Sequence, residues 1–179
     1  MIILLSLAII LNCSPTANNK TLEDGWEKFE AGEYTEAKDI FNLLTSSEGA
    51  EAYLGLGWSN FRLNNIAGAE DNFMNASSLQ DANAGQAFIQ WVLENYQQTI
   101  DFAESVLQTS PAYQFNHDNS VTAEDLILHQ AFSYFHLGDY NTTITKIQIL
   151  NTGFTADVNA LDIAEVLLTE LENLKSIYQ

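Results

Sequence analysis

The chain has 179 residues, 46% of them hydrophobic, with nine glycines and only two prolines, which suits one all-helical domain and leaves little for turn-rich sandwiches or flexible linkers. Six lysines and arginines against 24 aspartates and glutamates give a net charge of -18, a field that repels nucleic acid and anionic lipid headgroups. The single cysteine, Cys13, excludes an intramolecular disulfide and any zinc site built on paired cysteines.

Ile2 to Leu11 form a nearly continuous apolar run, too short to span a bilayer and of the length of a signal-peptide hydrophobic region. The run ends in Ile10-Leu11-Asn12-Cys13-Ser14, which resembles a lipobox, with Asn12 where Gly, Ala or Ser is usual and no Lys or Arg ahead of the apolar run. The resemblance implies a signal peptide over residues 1–12 and acylation of the Cys13 thiol. It further implies a lipid-anchored protein of the bacterial cell envelope, at the outer membrane and facing the periplasm. Residues 13–20, with Pro15 and Asn18-Asn19, are turn-prone and mostly polar and read as a tether.

Thr21-Leu22-Glu23-Asp24 has the pattern of a capping box and starts the first helix of a region, 21–155, that repeats internally. Gly25 pairs with Gly57, Ala37 with Ala69 and Phe41 with Phe73, each at an offset of 32. Between these positions lie Gly32 and Tyr34 in the first unit and Asn64 and Ile66 in the second. The pattern of small residue, turn, aromatic and Ala-x-x-x-Phe resembles the tetratricopeptide repeat, whose unit is about 34 residues. That resemblance implies helical hairpins in which a small residue of helix A admits helix B, a glycine ends helix A and an aromatic opens helix B. Gly after a helix relieves a left-handed backbone, Asn tolerates the same geometry, and Ala permits close interhelical contact.

A third unit is degenerate, with Ala87, Glu94, Thr99 and Ala103 at the key places and Tyr96 in register. The fourth shows its turn clearly in Phe135-His136-Leu137-Gly138-Asp139-Tyr140, with Ala131 at the small position and Thr143 and Ile147 at the packing places. Tyr96 and Tyr140 are 44 apart, so about ten residues are inserted, most simply 112–121, with Thr122 to Asp125 restarting the helix. Insertions of this kind emerge as loops on one face. Residues 156–179 read as a C-terminal capping helix with Val158, Leu161, Ala164, Leu167, Leu168, Leu171 and Leu174 on one apolar face. The expected fold is therefore an all-α, tetratricopeptide-like superhelix of about four hairpins plus that cap.

Candidates for chemistry are few. His129 and His136 sit two turns apart, about 10 Å along a helix and too far for one metal, and His117 lies in the inserted loop. Asn116-His117-Asp118-Asn119 lacks the spacing and glycine of a calcium loop and reads as a turn. Glu23, Glu27 and Glu30 make a solvated stripe. Phosphate-loop, nucleophile-elbow and His-Glu-x-x-His patterns do not occur, so neither catalysis nor a cofactor or metal is expected.

The stronger signal is aromatic. Trp26, Trp58, Phe88 and Phe132 directly follow the small position in successive hairpins, and Phe29, Phe61, Trp91 and Phe135 come three residues later, with Arg62 and His136 next in the chain. By analogy with tetratricopeptide arrays this stripe lines the concave groove, where it would receive an apolar or aromatic peptide with Arg62 holding a carboxylate. Trp and Phe at helical spacing are more often core than a ligand site. The function these features imply is a lipid-anchored scaffold for an unidentified protein or peptide partner. The alternative is a lipoprotein that stacks a glycan or other small molecule on the stripe.

Overall fold

The computed structural model describes residues 20–178; Cys13, the apolar run and nearly all of the tether lie outside the described residues. Nine α-helices account for the described chain. They are α1 (Leu22–Glu30), α2 (Tyr34–Glu48), α3 (Ala50–Arg62), α4 (Ile66–Asn75), α5 (Gln80–Val92), α6 (Tyr96–Thr109), α7 (Ala123–His136), α8 (Tyr140–Leu150) and α9 (Ile163–Tyr178). No helix among them is long and apolar enough to cross a membrane.

Helix starts follow from side-chain capping. Thr21 N–H and hydroxyl donate to Asp24 Oδ2 while Asp24 N–H donates back to Thr21 Oγ1, and Thr122 with Asp125 forms the second capping box at the head of α7. Each hairpin turn closes by one device. Gly32, Asn64, Glu94 and Gly138 adopt positive φ of 77°, 58°, 59° and 79°. The next residue's N–H then reaches five residues back, Glu33 to Lys28, Asn65 to Asn60, Asn95 to Gln90 and Asp139 to Tyr134, at 2.8–2.9 Å. Glu94 thus holds the left-handed backbone without being glycine or asparagine.

The odd-numbered helices α1, α3, α5, α7 and α9 each touch the next odd one, whereas every even-numbered helix touches only its neighbours in the chain. The molecule is therefore two layered, with the odd helices on the inner face of the array and the even ones outside. Aromatics on the inner helices brace the turns: Phe29 packs on Tyr34, Trp91 on Tyr96 and Phe135 on Tyr140, with ring centroids 5.2, 6.0 and 5.7 Å apart.

Layer spacing is set by phenylalanines clasped between glycines. A Cβ on Gly25 would lie 2.6 Å from the Phe41 ring and one on Gly55 2.5 Å from the same ring, so both inner helices meet Phe41 backbone to ring. Phe73 sits the same way between Gly57 and Gly85. In the third unit the equivalent positions are Ala87 and Ala103, both fully buried, so a small methyl has replaced hydrogen on one side and a ring has shrunk to a methyl on the other. Ala37, Ala69 and Ala76 are fully buried beside these rings.

The C-terminal segment departs from the sequence reading. Helix α9 begins at Ile163, and it buries Ile163, Leu167, Leu171 and Leu174 against α7 and α8. Leu161, placed on that face by helical spacing, precedes the helix and is wholly exposed, Val158 also precedes it, and Ala164 and Leu168 point to solvent. The apolar run carries two overlapping stripes, and the set at 163, 167, 171 and 174 is the one that meets Leu128, Ala131 and Phe132. In contact pattern α9 stands where the inner helix of a fifth hairpin would stand.

Candidate functional site

The inner face is half filled by the protein's own inserted loop. After α6 the chain makes a small antiparallel bridge, Gln114 to Thr122, with Phe115 N–H donating to Val121 O at 2.9 Å and Ala123 N–H to Tyr113 O at 2.7 Å. Alternation along this extended stretch turns Tyr113 and Phe115 inward and leaves Ala112, Gln114 and Asn116 exposed. Tyr113 hydroxyl donates to Asp81 at 2.8 Å; burial, then the Asp81 charge, raises its pKa far above the usual phenol value.

Phe115 enters the stripe of aromatics. Its ring stacks on Trp58 at 4.6 Å and stands edge-on to Trp26 and Phe29 at 5.9 and 6.4 Å. Two residues on, His117 stacks flat on Trp26, centroids 3.9 Å apart, and its Nδ1 meets Glu30 at 2.7 Å. Asp118 then receives the Arg62 guanidinium, which also donates to Ser120 Oγ at 3.0 Å. Burial by itself would raise the Asp118 pKa, but the bonds from Ser120 and Arg62 outweigh it and hold the carboxyl below its ordinary value.

These contacts correct the open-groove expectation. Trp58 is 0% exposed, Trp26 7% and Phe132 4%, so three of the four aromatics that follow the small position are interior. Arg62 holds a carboxylate, but it is that of Asp118 in the same chain. His136 is exposed at the end of α7, stacked on Tyr96 at 4.5 Å, and does not join Arg62. The Asn116–Asn119 turn is part of this plug and contributes three of its contacts, His117 with Trp26 and Glu30 and Asp118 with Arg62.

Beyond the plug the stripe opens. Phe61, Arg62, Phe88 and Trp91 line a cavity of about 290 Å³ together with Val92, Ser120, Val121, Asp125, His129 and Tyr178. Trp91 stacks on His129 at 5.2 Å, and Phe88 stands edge-on to the same imidazole at 4.8 Å. Burial, aided by the Lys175 charge, lowers the His129 pKa to about 3, so the ring is neutral at physiological pH. Asp125 is buried; desolvation raises its pKa against the opposing bonds from Thr122. Sequence reasoning missed His129, Asp125 and Tyr178 as wall residues. His129 alone had a readable signal, since it lies three before Phe132 on the inner face of α7.

No family model matches the chain, and no curated protein does. Among solved structures it is similar to a crystal structure of a tetratricopeptide repeat protein from Parabacteroides merdae, with a TM-score of 0.58 at 14% sequence identity, over 88% of this chain and 59% of that one. The fold is a tetratricopeptide-like helical array. The chain spans about 59% of that neighbour's length, and the likeness is one of fold. Within the tetratricopeptide-like array, the plug and the cavity occupy consecutive parts of the inner face.

Proposed function

We propose that the chain is a non-catalytic scaffold of the bacterial cell envelope, anchored through an acylated Cys13, that holds a protein or peptide partner on the uncovered part of its inner face. The observation that carries this reading is the cavity between α3, α5, α7 and α9, where half-buried Phe61, Phe88 and Trp91 meet solvent at the mouth of an otherwise packed helical array. Arrays of this kind present rigid apolar grooves to extended or helical segments. A glycan platform over the whole stripe does not fit, because Trp26 and Trp58 are buried, each with one ring stacked on it by the inserted loop.

A photo-crosslinking residue in place of Val92, which is half exposed at the cavity rim, should capture a reproducible partner from intact cells. Failure to capture any protein at Val92, in cells where the chain is correctly exported, counts against the scaffold. For the anchor, a fatty-acid analogue should label the wild-type protein and not Cys13→Ala, which should move to a soluble fraction. An exported but unlabelled wild type sinks that part.

A further inference from the structure

The cavity has a charge signature as well as a shape. At about 290 Å³ it sits at the lower bound of small-molecule sites, roughly 300 to 1,000 Å³, and has room for one side chain or a small amine. Its walls include the rings of Phe61, Phe88, Trp91 and Tyr178. An arginine and a buried carboxyl group line it. Arg62 is already matched by Asp118. Asp125 has no ion pair among the described residues; its carboxyl accepts both bonds from Thr122 on Oδ2 and a further one from its own backbone N–H. Lys175 is near enough to act on His129 but is exposed and outside the lining.

A buried carboxyl group without an ion pair, set among aromatic faces, favours one class of guest. Ring faces attract cations, and desolvation strengthens both that attraction and a charge-assisted bond to a carboxylate. An anionic guest would instead meet the Asp125 carboxyl, and the Arg62 charge that could receive it is already paired with Asp118 through Nη2. At long range the net charge of -18 draws basic partners and repels acidic ones.

We propose that the cavity is a receptor for an alkylammonium group, the side chain of a lysine presented by a basic partner protein, with its stem along Phe61, Phe88 and Trp91 and its ammonium at Asp125. This deepens the scaffold reading and rests on it.

The test uses Nα-acetyl-lysine methylamide as probe and the norleucine analogue as its uncharged control, with indole N–H resonances of the three tryptophans as readout. Lysine should shift Trp91 saturably while leaving Trp26 and Trp58 in place, and norleucine should not. Asp125→Asn keeps an oxygen for the Thr122 cap and should weaken lysine binding about tenfold or more. If that variant fails to fold, Phe88→Leu should give a smaller loss by removing one ring face. No saturable Trp91 shift, an equal response to norleucine, or unchanged affinity in a folded Asp125→Asn protein overturns the proposal. Capture of a partner at Val92 alongside a silent Trp91 leaves the scaffold standing and removes the lysine site alone.

Discussion

The Phe115 ring lies on the Trp58 indole with centroids 4.6 Å apart and 22° between their planes, and both side chains are completely buried. A loop residue is thus part of the main core. Phe115→Ala should cost about 3 to 5 kcal/mol in urea or thermal unfolding, as expected for an aromatic cavity in a packed interior. It should also let acrylamide reach Trp58. A cost below about 1 kcal/mol would mean that the loop rests on the array as a lid instead of completing it.

Phe41 has no spare room between Gly25 and Gly55. Gly55→Ala puts a methyl against the ring and should destabilise by roughly 1 to 3 kcal/mol through overpacking. Pairing it with Phe41→Leu should recover part of that loss, since the smaller side chain vacates the space the methyl needs. A double variant no more stable than the sum of the single changes predicts would remove the clasp as the determinant of helix spacing.

Glu94 keeps a φ of 59° at the third turn, a conformation that costs an L-residue about 1 to 2 kcal/mol. Glu94→Gly relieves this and adds freedom to the unfolded chain worth roughly 0.4 to 1 kcal/mol in the other direction. The expected net gain is up to about 1 kcal/mol, seen as a rise of roughly 2 to 4 °C in Tm. A fall in Tm would show that the glutamate side chain contributes something the turn geometry does not reveal.

His129 gives the molecule a specific acid sensitivity. The folded state keeps its imidazole neutral down to about pH 3, whereas the unfolded chain takes up that proton near 6.5, as a free imidazole does. The unfolded state therefore binds more protons in that window, so this contribution is complete above about pH 6.5 and is lost progressively as pH falls toward 3. The many carboxylates titrate in the same range, so the measurement is the Tm difference between wild type and His129→Phe. Lowering pH from 7 to 4 should shift that difference in favour of the variant. A pH-independent difference would show that His129 is protonated alike in both states.

The array was legible because its spacing constraints are local and repeated. Gly25, Gly57, Ala37, Ala69, Phe41 and Phe73 recur at one offset, and the four turns share a left-handed residue that Gly32, Asn64 and Gly138 advertise by type. Gly55 and Gly85 also recur, 30 apart, but lie two residues before the small position, outside the repeat pattern. The fate of the groove was not legible, since a helical stripe of Trp and Phe looks the same whether it faces water or a loop. What fills it is Phe115, separated by 57 residues from Trp58 in a segment whose turn-forming residues concealed the Tyr113-x-Phe115 alternation. In helix α9, Leu167, Leu171 and Leu174 are legible as the buried face, but Leu161, Ala164 and Leu168 make a second stripe as regular and hide Ile163.

The plug also changes how the molecule comes apart. In a simple repeat array each unit touches only its neighbours, so the ends fray independently and opening spreads one hairpin at a time. Here His117 clips to Glu30 across 87 residues and Asp118 to Arg62 across 56, while Phe115 touches aromatics of both the first and second hairpins. Those links bind the amino-terminal hairpins to a segment past the third. Amide exchange in α1 and α3 should therefore proceed with the same opening free energy as α6 and the start of α7, as one cooperative block. The remaining hairpin and α9 are free to exchange sooner. The closure of such a long chain loop places formation of the amino-terminal half late in folding, after the third hairpin has been made.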